Sequence, residues 1–506
     1  MRSRLRQLIP LLFVLAVILV GCGDNRDLRR ICIVHTNDIH GHVTPEQVQG
    51  ERVGTGGLAV FAAWLEEVRR RNVRAGVPTF LFDAGDIFTG TPEGALGKGR
   101  EIVRLFNGLG YQAVTVGNHE FDFGYYSLTR MAQAAEFPFL GANISLGEGS
   151  PVDFIEPWVV FEEADIKLGV IGVTTDEVPF ITLTGNTGKI VFSDPTKAVE
   201  AARRSLEAQG VRVILALTHQ GLEEDLELAR EVKGLDVIIG GHTHTLLEEP
   251  MVERGVIVCQ AGSYGRWAGK LDLWVDPAAG TVERWEYELF TNLHGAYPPQ
   301  LETARALREL EKKLDPGYQE VYGLSLSELA GEDDRESVLG DLIADAMREA
   351  TKTDLAFENP YGIRWPIFPG KITGRAVFLV IPFTDDLVTM ELSGRQVREL
   401  LEQSFTLHKG MLQVSGLKAE YDLSRPEGSR LLRAWVGEDP LDDKEDYTVT
   451  VNGFLAGGGD GFITFRQGRN VRRTGVILRR ALQEYIRRHT PLDKGAFPLD
   501  RLIDTG

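Results

Sequence analysis

Thiols are scarce in this 506-residue chain, which carries three cysteines: Cys22, Cys32 and Cys259. Three cannot build a disulfide framework. Cys32 and Cys259 stand inside apolar, strand-like runs, so buried free thiols are expected there. Positive charge is also in deficit, with 55 Lys and Arg against 73 Asp and Glu for a net charge of −18. An acidic surface argues against a nucleic acid polymer as partner, although bound cations and a few arginines reverse the field within a site. The chain has no internal repeat and no low-complexity tract, which sets aside solenoids and long disordered segments.

What is present begins with a leader. Arg2, Arg4 and Arg6 precede an uncharged apolar run over 8–20, too short to span a bilayer comfortably and suited to a signal-peptide core. It ends in Leu19-Val20-Gly21-Cys22, which resembles a bacterial lipobox. That resemblance implies a signal peptide over 1–21, lipidation of Cys22 and a tether over 22–29. A diacyl thioether supplies the multiple acyl chains that stable anchoring needs. The protein is then expected outside the cytoplasm, lipid-anchored to the bacterial cell membrane on its periplasmic side or at the cell surface.

The remaining length exceeds one hydrophobic core and predicts at least two units. From residue 30 to about 275, short β-branched runs at 31–35, 79–83, 113–116, 168–173, 213–218, 237–239 and 256–260 alternate with amphipathic stretches such as 58–71, 196–209 and 223–232. This is the pattern of a layered α/β domain. Pro298-Pro299 opens a charged helical segment over 301–314, closed by Asp315-Pro316-Gly317, which suits a linker helix. A second unit follows from about residue 321, with a stretch rich in Gly and strand formers over 445–465.

Polar clusters stand directly after the strand-like runs. Asp38 and His40 follow the first in HTNDIHG, and Asp86 follows the second in FDAGDIF. Asn118 and His119 follow the third in GNHEFDFG, His219 closes the fifth, and His242 and His244 follow the sixth in GGHTH. Carboxyl ends of parallel strands point to one edge of a sheet, where α/β proteins place their sites. Asp, His and Asn offer oxygen and nitrogen without thiolate, a set suited to Mn, Zn, Fe or Co. The donors outnumber the needs of one tetrahedral ion. Two ions about 3.5–4 Å apart can share a hydroxide nucleophile and clamp a phosphoryl oxygen. His35 and His42 are read as ordinary core or surface histidines.

The ordered set D-x-H, G-D, G-N-H-E, a single His and G-H-x-H resembles the calcineurin-like metallophosphoesterases. The carboxy-terminal unit narrows the resemblance to 5′-nucleotidases, including periplasmic UDP-sugar hydrolases and animal ecto-5′-nucleotidases. It implies a four-layer domain over 30–297, with two β-sheets flanked by helices. A linker helix over 298–320 and an α+β substrate-binding domain over 321–506 would follow. Two divalent metal ions are implied as cofactors. Asp38, His40, Asp86 and His244 would hold the first, and Asp86 would bridge to a second completed by Asn118, His219 and His242. His119 would face the substrate phosphate and pair with Asp122; a spacing of three allows this on a helical turn. The carboxylate would orient the ring and favour its protonated form.

In the second unit Asn359 and Arg364 match residues that contact substrate phosphate or ribose, Phe383 and Phe454 match two aromatics that sandwich a nucleobase, and Asp460 matches a polar contact beside them. Read without the resemblance, two phenylalanines in apolar runs are core packing. There are departures: Asn359-Pro360-Tyr361-Gly362-Ile363-Arg364 replaces a loop of small residues, and Asp385 and Asp386 add negative charge after Pro382-Phe383. The expected activity is phosphate release from nucleotides: 5′-mononucleotides, 2′,3′-cyclic nucleotides or nucleotide sugars. Two alternatives remain: a thiosulfohydrolase-like sulfur-ester hydrolase of the same fold, and a lipid-anchored protein that captures nucleotides without turnover.

Overall fold

The structure, a computed structural model, describes residues 27–45, 54 and 56–506, so the leader, Cys22 and most of the tether lie outside the described residues. Among the described residues no helix is long and apolar enough to cross a membrane.

The amino-terminal unit holds two stacked sheets. One has seven strands in the order Thr281–Thr291, Trp267–Asp276, Arg29–Thr36, Thr79–Asp83, Ala113–Thr115, Phe139–Leu140 and Ile155–Glu156. The other has six, in the order Met251–Glu253, Val256–Cys259, Val237–Ile239, Val213–His219, Ile166–Thr174 and Trp158–Glu163. The central strands of each run parallel: Arg29–Thr36 beside Thr79–Asp83, and Val213–His219 beside both Ile166–Thr174 and Val237–Ile239.

Side-chain alternation along the strands builds the layers. Ile31 and Ile33 point between the sheets, where they meet Phe80, Phe82, Leu168, Val170, Leu215 and Leu217. Cys32 and Val34 point the other way, into a core shared with helices Leu58–Ala75 and Arg100–Leu109. Helices Pro195–Ala208 and Leu222–Glu231 cover the far face of the second sheet. The result is helix, sheet, sheet, helix, as expected. Cys32 and Cys259 are buried and free, and burial pushes the Cys32 thiol up to about 12.

Helix Leu301–Glu311 is not an isolated rod. It buries Leu307 and Leu310 in the amino-terminal core, and Lys313 pairs with Glu101 at 3.0 Å. Beyond it, a five-stranded sheet is ordered Gln413–Ser415, Leu355–Glu358, Asp446–Asn452, Asp386–Ser393 and Arg469–Ile477. Helices Val338–Thr351, Gly374–Val380 and Leu478–His489 pack on one face. Helix Gly394–Ser404 and a four-stranded sheet pack on the other.

Candidate functional site

Loops leaving the carboxyl ends of three strands of the first sheet carry Asp38 and His40, Asp86, and Asn118 with His119. His219, His242 and His244 come from the second sheet. The sequence suggested one sheet edge; the residues in fact gather where the edges of two stacked sheets meet. The first two loops run side by side, with Asp38 N donating to Gly85 O at 3.0 Å and His40 N to Asp86 O at 2.9 Å. Gly117 is required by the crossing behind them, since a Cβ there would lie 2.2 Å from Asp86 Oδ1. Five of the expected ligands have left-handed backbone: Asp38 (φ 51°), His40 (50°), Asp86 (58°), His242 (78°) and His244 (55°). Non-glycine residues rarely adopt this region, and functional sites are where it concentrates.

Asp86 lies at the centre. Its Oδ2 is 3.0 Å from His219 Nε2, 3.8 Å from His40 Nε2 and 3.9 Å from His119 Nε2. Asp38 Oδ1 lies 3.3 Å from His244 Nε2 and 3.8 Å from His40 Nε2. Three sets of donor atoms are each close enough to hold one cation: Asp38/His40/His244, His40/Asp86/His119 and Asp86/His219/His242. The first and third bring together residues expected to share an ion, without Asn118 and without Asp86 beside Asp38. Asn118 Oδ1 is buried without a hydrogen-bond partner among the described residues, a condition that suits a donor atom to a cation.

The far ring nitrogens are tied down. His40 Nδ1 is 2.7 Å from Thr89 O and His219 Nδ1 is 2.7 Å from Ala84 O, which turns both Nε2 atoms inward. Burial holds His40 well below the usual histidine value, helped by Arg364, and burial with His219 holds His242 down at about 3. Burial also pulls on His219, but Asp86 and Asp38 outweigh it and push that ring up to about 10. The carboxylates thus draw positive charge into the centre, and the donor set fits divalent metal.

His119 Nδ1 is 2.7 Å from Asp122 Oδ2, and the two side chains are 12% and 15% exposed. A tight turn over His119–Phe121 supplies the register. Burial lowers His119, but Asp122 and Asp86 outweigh it and the net shift is upward.

The two units meet over a cavity of about 670 Å³ whose lining includes His119, Asp122, Asn359, Arg364, Phe383, Phe454 and Asp460. Every expected substrate residue therefore borders one space. Arg364 Nη2 reaches 3.5 Å from His40 Nε2. Phe383 stacks on His119, with ring centroids 5.9 Å apart and planes at 20°. Asn359 Nδ2 donates to Asp460 Oδ2 at 2.9 Å, and burial pushes Asp460 up to about 6. Tyr361 is 41% exposed at the cavity mouth. Arg335 stays outside, paired with Asp334 at 2.9 Å. His35 is a core residue that burial pushes down to about 3.

Several contributors were missed. Glu120 is fully buried and accepts the backbone N–H groups of Asp86 (3.0 Å), Ile87 (3.0 Å) and Gly117 (2.7 Å), fastening two site loops together. Its place inside GNHE was the available signal. Asn37 donates to Asp38 Oδ2 at 2.7 Å. Tyr264 packs against His40, His42 and His244, and Trp365 of the second unit packs against Tyr264 and His42. No motif pointed to either ring.

Residues 32–246 match the family described as calcineurin-like phosphoesterase, and residues 320–467 match the 5′-nucleotidase C-terminal domain. A snake venom 5′-nucleotidase of Gloydius brevicauda is 30% identical over 90% of this chain and 86% of its own length. The structure of a 5′-nucleotidase precursor from Thermus thermophilus superposes with a TM-score of 0.85 at 32% identity, covering 94% of this chain and 99% of that one. A sulfate thiohydrolase of the same species gives 0.81 at 20% identity, covering 94% and 97%, which is likeness of fold alone.

Proposed function

This chain belongs to the 5′-nucleotidase family of calcineurin-like phosphoesterases, a family of metal-dependent phosphoric ester hydrolases, and we propose that it releases phosphate from nucleotides at a centre of two divalent ions shared through Asp86. The observation that carries this reading is the position of Asp86 Oδ2 between His219 and the rings of His40 and His119. Asp38, His40, Asp86 and His244 would hold one ion, and Asp86, Asn118, His219 and His242 the other. Bound there, such ions would neutralise phosphoryl charge and lower the pKa of a bound water.

The chain's own groups do the rest. Arg364 forks onto phosphate oxygens. His119, whose protonated form Asp122 favours, stabilises charge on the phosphoryl group or assists the leaving oxygen. Phe383 and Phe454 take the base, Asn359 contacts phosphate or ribose, and Asp460 adds a polar contact beside them. This aromatic cavity supports a nucleotide over a bare sulfur ester, and a His–Asp pair has no use in a protein that only captures its ligand. We also propose the Cys22 lipid anchor; exchange of Cys22 for Ser should move the protein from the membrane to the soluble fraction.

Purified protein with manganese and AMP should liberate inorganic phosphate, and chelation followed by dialysis should abolish the reaction until divalent metal is returned. Turnover that survives chelation in His119→Ala would refute the mechanism. Release from AMP no faster than from p-nitrophenyl phosphate would refute the base clamp.

A further inference from the structure

The polar side chains in the second unit's wall of the cavity are nearly all satisfied by one another. Asn452 Nδ2 donates to Glu358 Oε1 and Oε2 (3.1 and 3.0 Å) and to Asn359 Oδ1 (2.8 Å), and its own Oδ1 accepts from Leu455 N at 2.7 Å. Asn359 in turn donates to Asp460. Asp386, adjacent in the chain, is neutralised by Arg473 at 2.6 Å. Asp385 is the exception. It lines the cavity, yet its Oδ1 is sealed from solvent and has no hydrogen-bond partner among the described residues.

The position of that oxygen narrows what could satisfy it. Asp385 follows Phe383 by two residues, and the backbone N–H of Phe454 approaches the same carboxyl, so the group lies beside the two segments whose rings are expected to clamp a base. A flat ring held between them brings its edge substituents to the carboxyl, which a sugar hydroxyl does not do by stacking. Carboxyls of Glu358 and Asp122 act on Asp385 from nearby. An acceptor on the ligand edge would meet this field unfavourably, and a donor would be welcomed.

We propose that Asp385 is a specificity-determining residue that accepts a hydrogen bond from the exocyclic amino group of the nucleobase, making adenine nucleotides preferred over hypoxanthine nucleotides. The inference rests on the nucleotide reading above and deepens it. A buried acceptor without a donor is unfavourable, and a ligand that supplies the donor is favoured over one that leaves the acceptor bare.

The test compares kcat/KM for AMP, IMP and purine riboside 5′-monophosphate in the metal-loaded full chain. Wild type, Asp385→Asn and Asp385→Ala are assayed at pH 8.5, above the value of about 7 to which burial and Asp122 push the carboxyl. Wild type should favour AMP over IMP by about tenfold or more. Asp385→Asn offers an N–H to the 6-oxo group and should shift the AMP:IMP ratio toward IMP by a similar factor. Asp385→Ala should bring AMP and purine riboside monophosphate level. Thermal melts establish that each variant folds, and Asp385→Asn alone decides the matter if the alanine variant does not. A parallel fall on all three substrates, or a changed response to 2′- or 3′-deoxy-AMP with the base ratio intact, overturns the proposal. Absence of phosphate release from every nucleotide in wild type would instead refute the underlying phosphohydrolase reading.

Discussion

At His119 two opposed influences are balanced. Burial lowers the imidazole, Asp122 and Asp86 raise it, and the net direction is up. With the folded-state value raised, the His119–Asp122 pair contributes stability that is fully present below the ordinary histidine value of about 6.5. That contribution is lost as pH rises through the raised value. The same titration removes the imidazolium, so the pH–rate profile should fall on its alkaline side. Asp122→Asn should move that fall to lower pH, and an alkaline limb that stays in place would show that another group titrates. His119→Ala should lower kcat by about 10²–10⁴-fold while metal content is retained. Residues of this kind were legible because each is a polar group placed directly after a β-branched run, where a buried strand meets its loop. Tyr264 was not, because its role comes largely from ring packing against His40 and His42, more than 200 positions away in the chain, which no local pattern reports.

Among elements, the strands with β-branched runs were read to within a residue or two, as at Thr79–Asp83 and Val237–Ile239, whereas edge strands such as Trp158–Glu163 and Thr281–Thr291 were not read at all. Their division between two sheets was not legible. Which sheet a strand joins is decided by distant pairing, as when Arg29–Thr36 meets Trp267–Asp276. The turn over His119–Phe121 shows what local sequence does encode, because the GNHE motif also supplies its own fastener. Glu120→Ala would leave three buried backbone N–H groups without an acceptor, at about 1–3 kcal/mol each. Denaturant unfolding of the metal-free protein should record a loss of roughly 3 kcal/mol or more, with weakened metal binding by calorimetry. A loss under about 1 kcal/mol would mean that water or a neighbour replaces the carboxylate.

In the whole molecule, the units are joined across the cleft by Arg375 with Glu93 at 2.5 Å and Lys409 with Glu177 at 2.5 Å. Sequence could not pair these residues, since contacts between units follow from both folds together. The Glu93 side chain is 2% exposed, so Arg375→Ala strands a buried carboxylate at about 3–5 kcal/mol against this arrangement. Small-angle scattering should report a larger radius of gyration and kinetics a higher KM for AMP; unchanged values of both would remove Arg375 from this role. The left-handed backbone at Asp38, His40, Asp86, His242 and His244 has a consequence at the same scale. Each departs from what its residue type prefers by roughly 1–2 kcal/mol, and glycine would relieve it. Asp38 and Asp86 also accept the backbone N–H groups of His242 and His119, so laboratory evolution for heat resistance alone should drift toward glycine first at His242 and His244, yielding a hardier and silent protein. Durability and turnover compete for the same peptide units here.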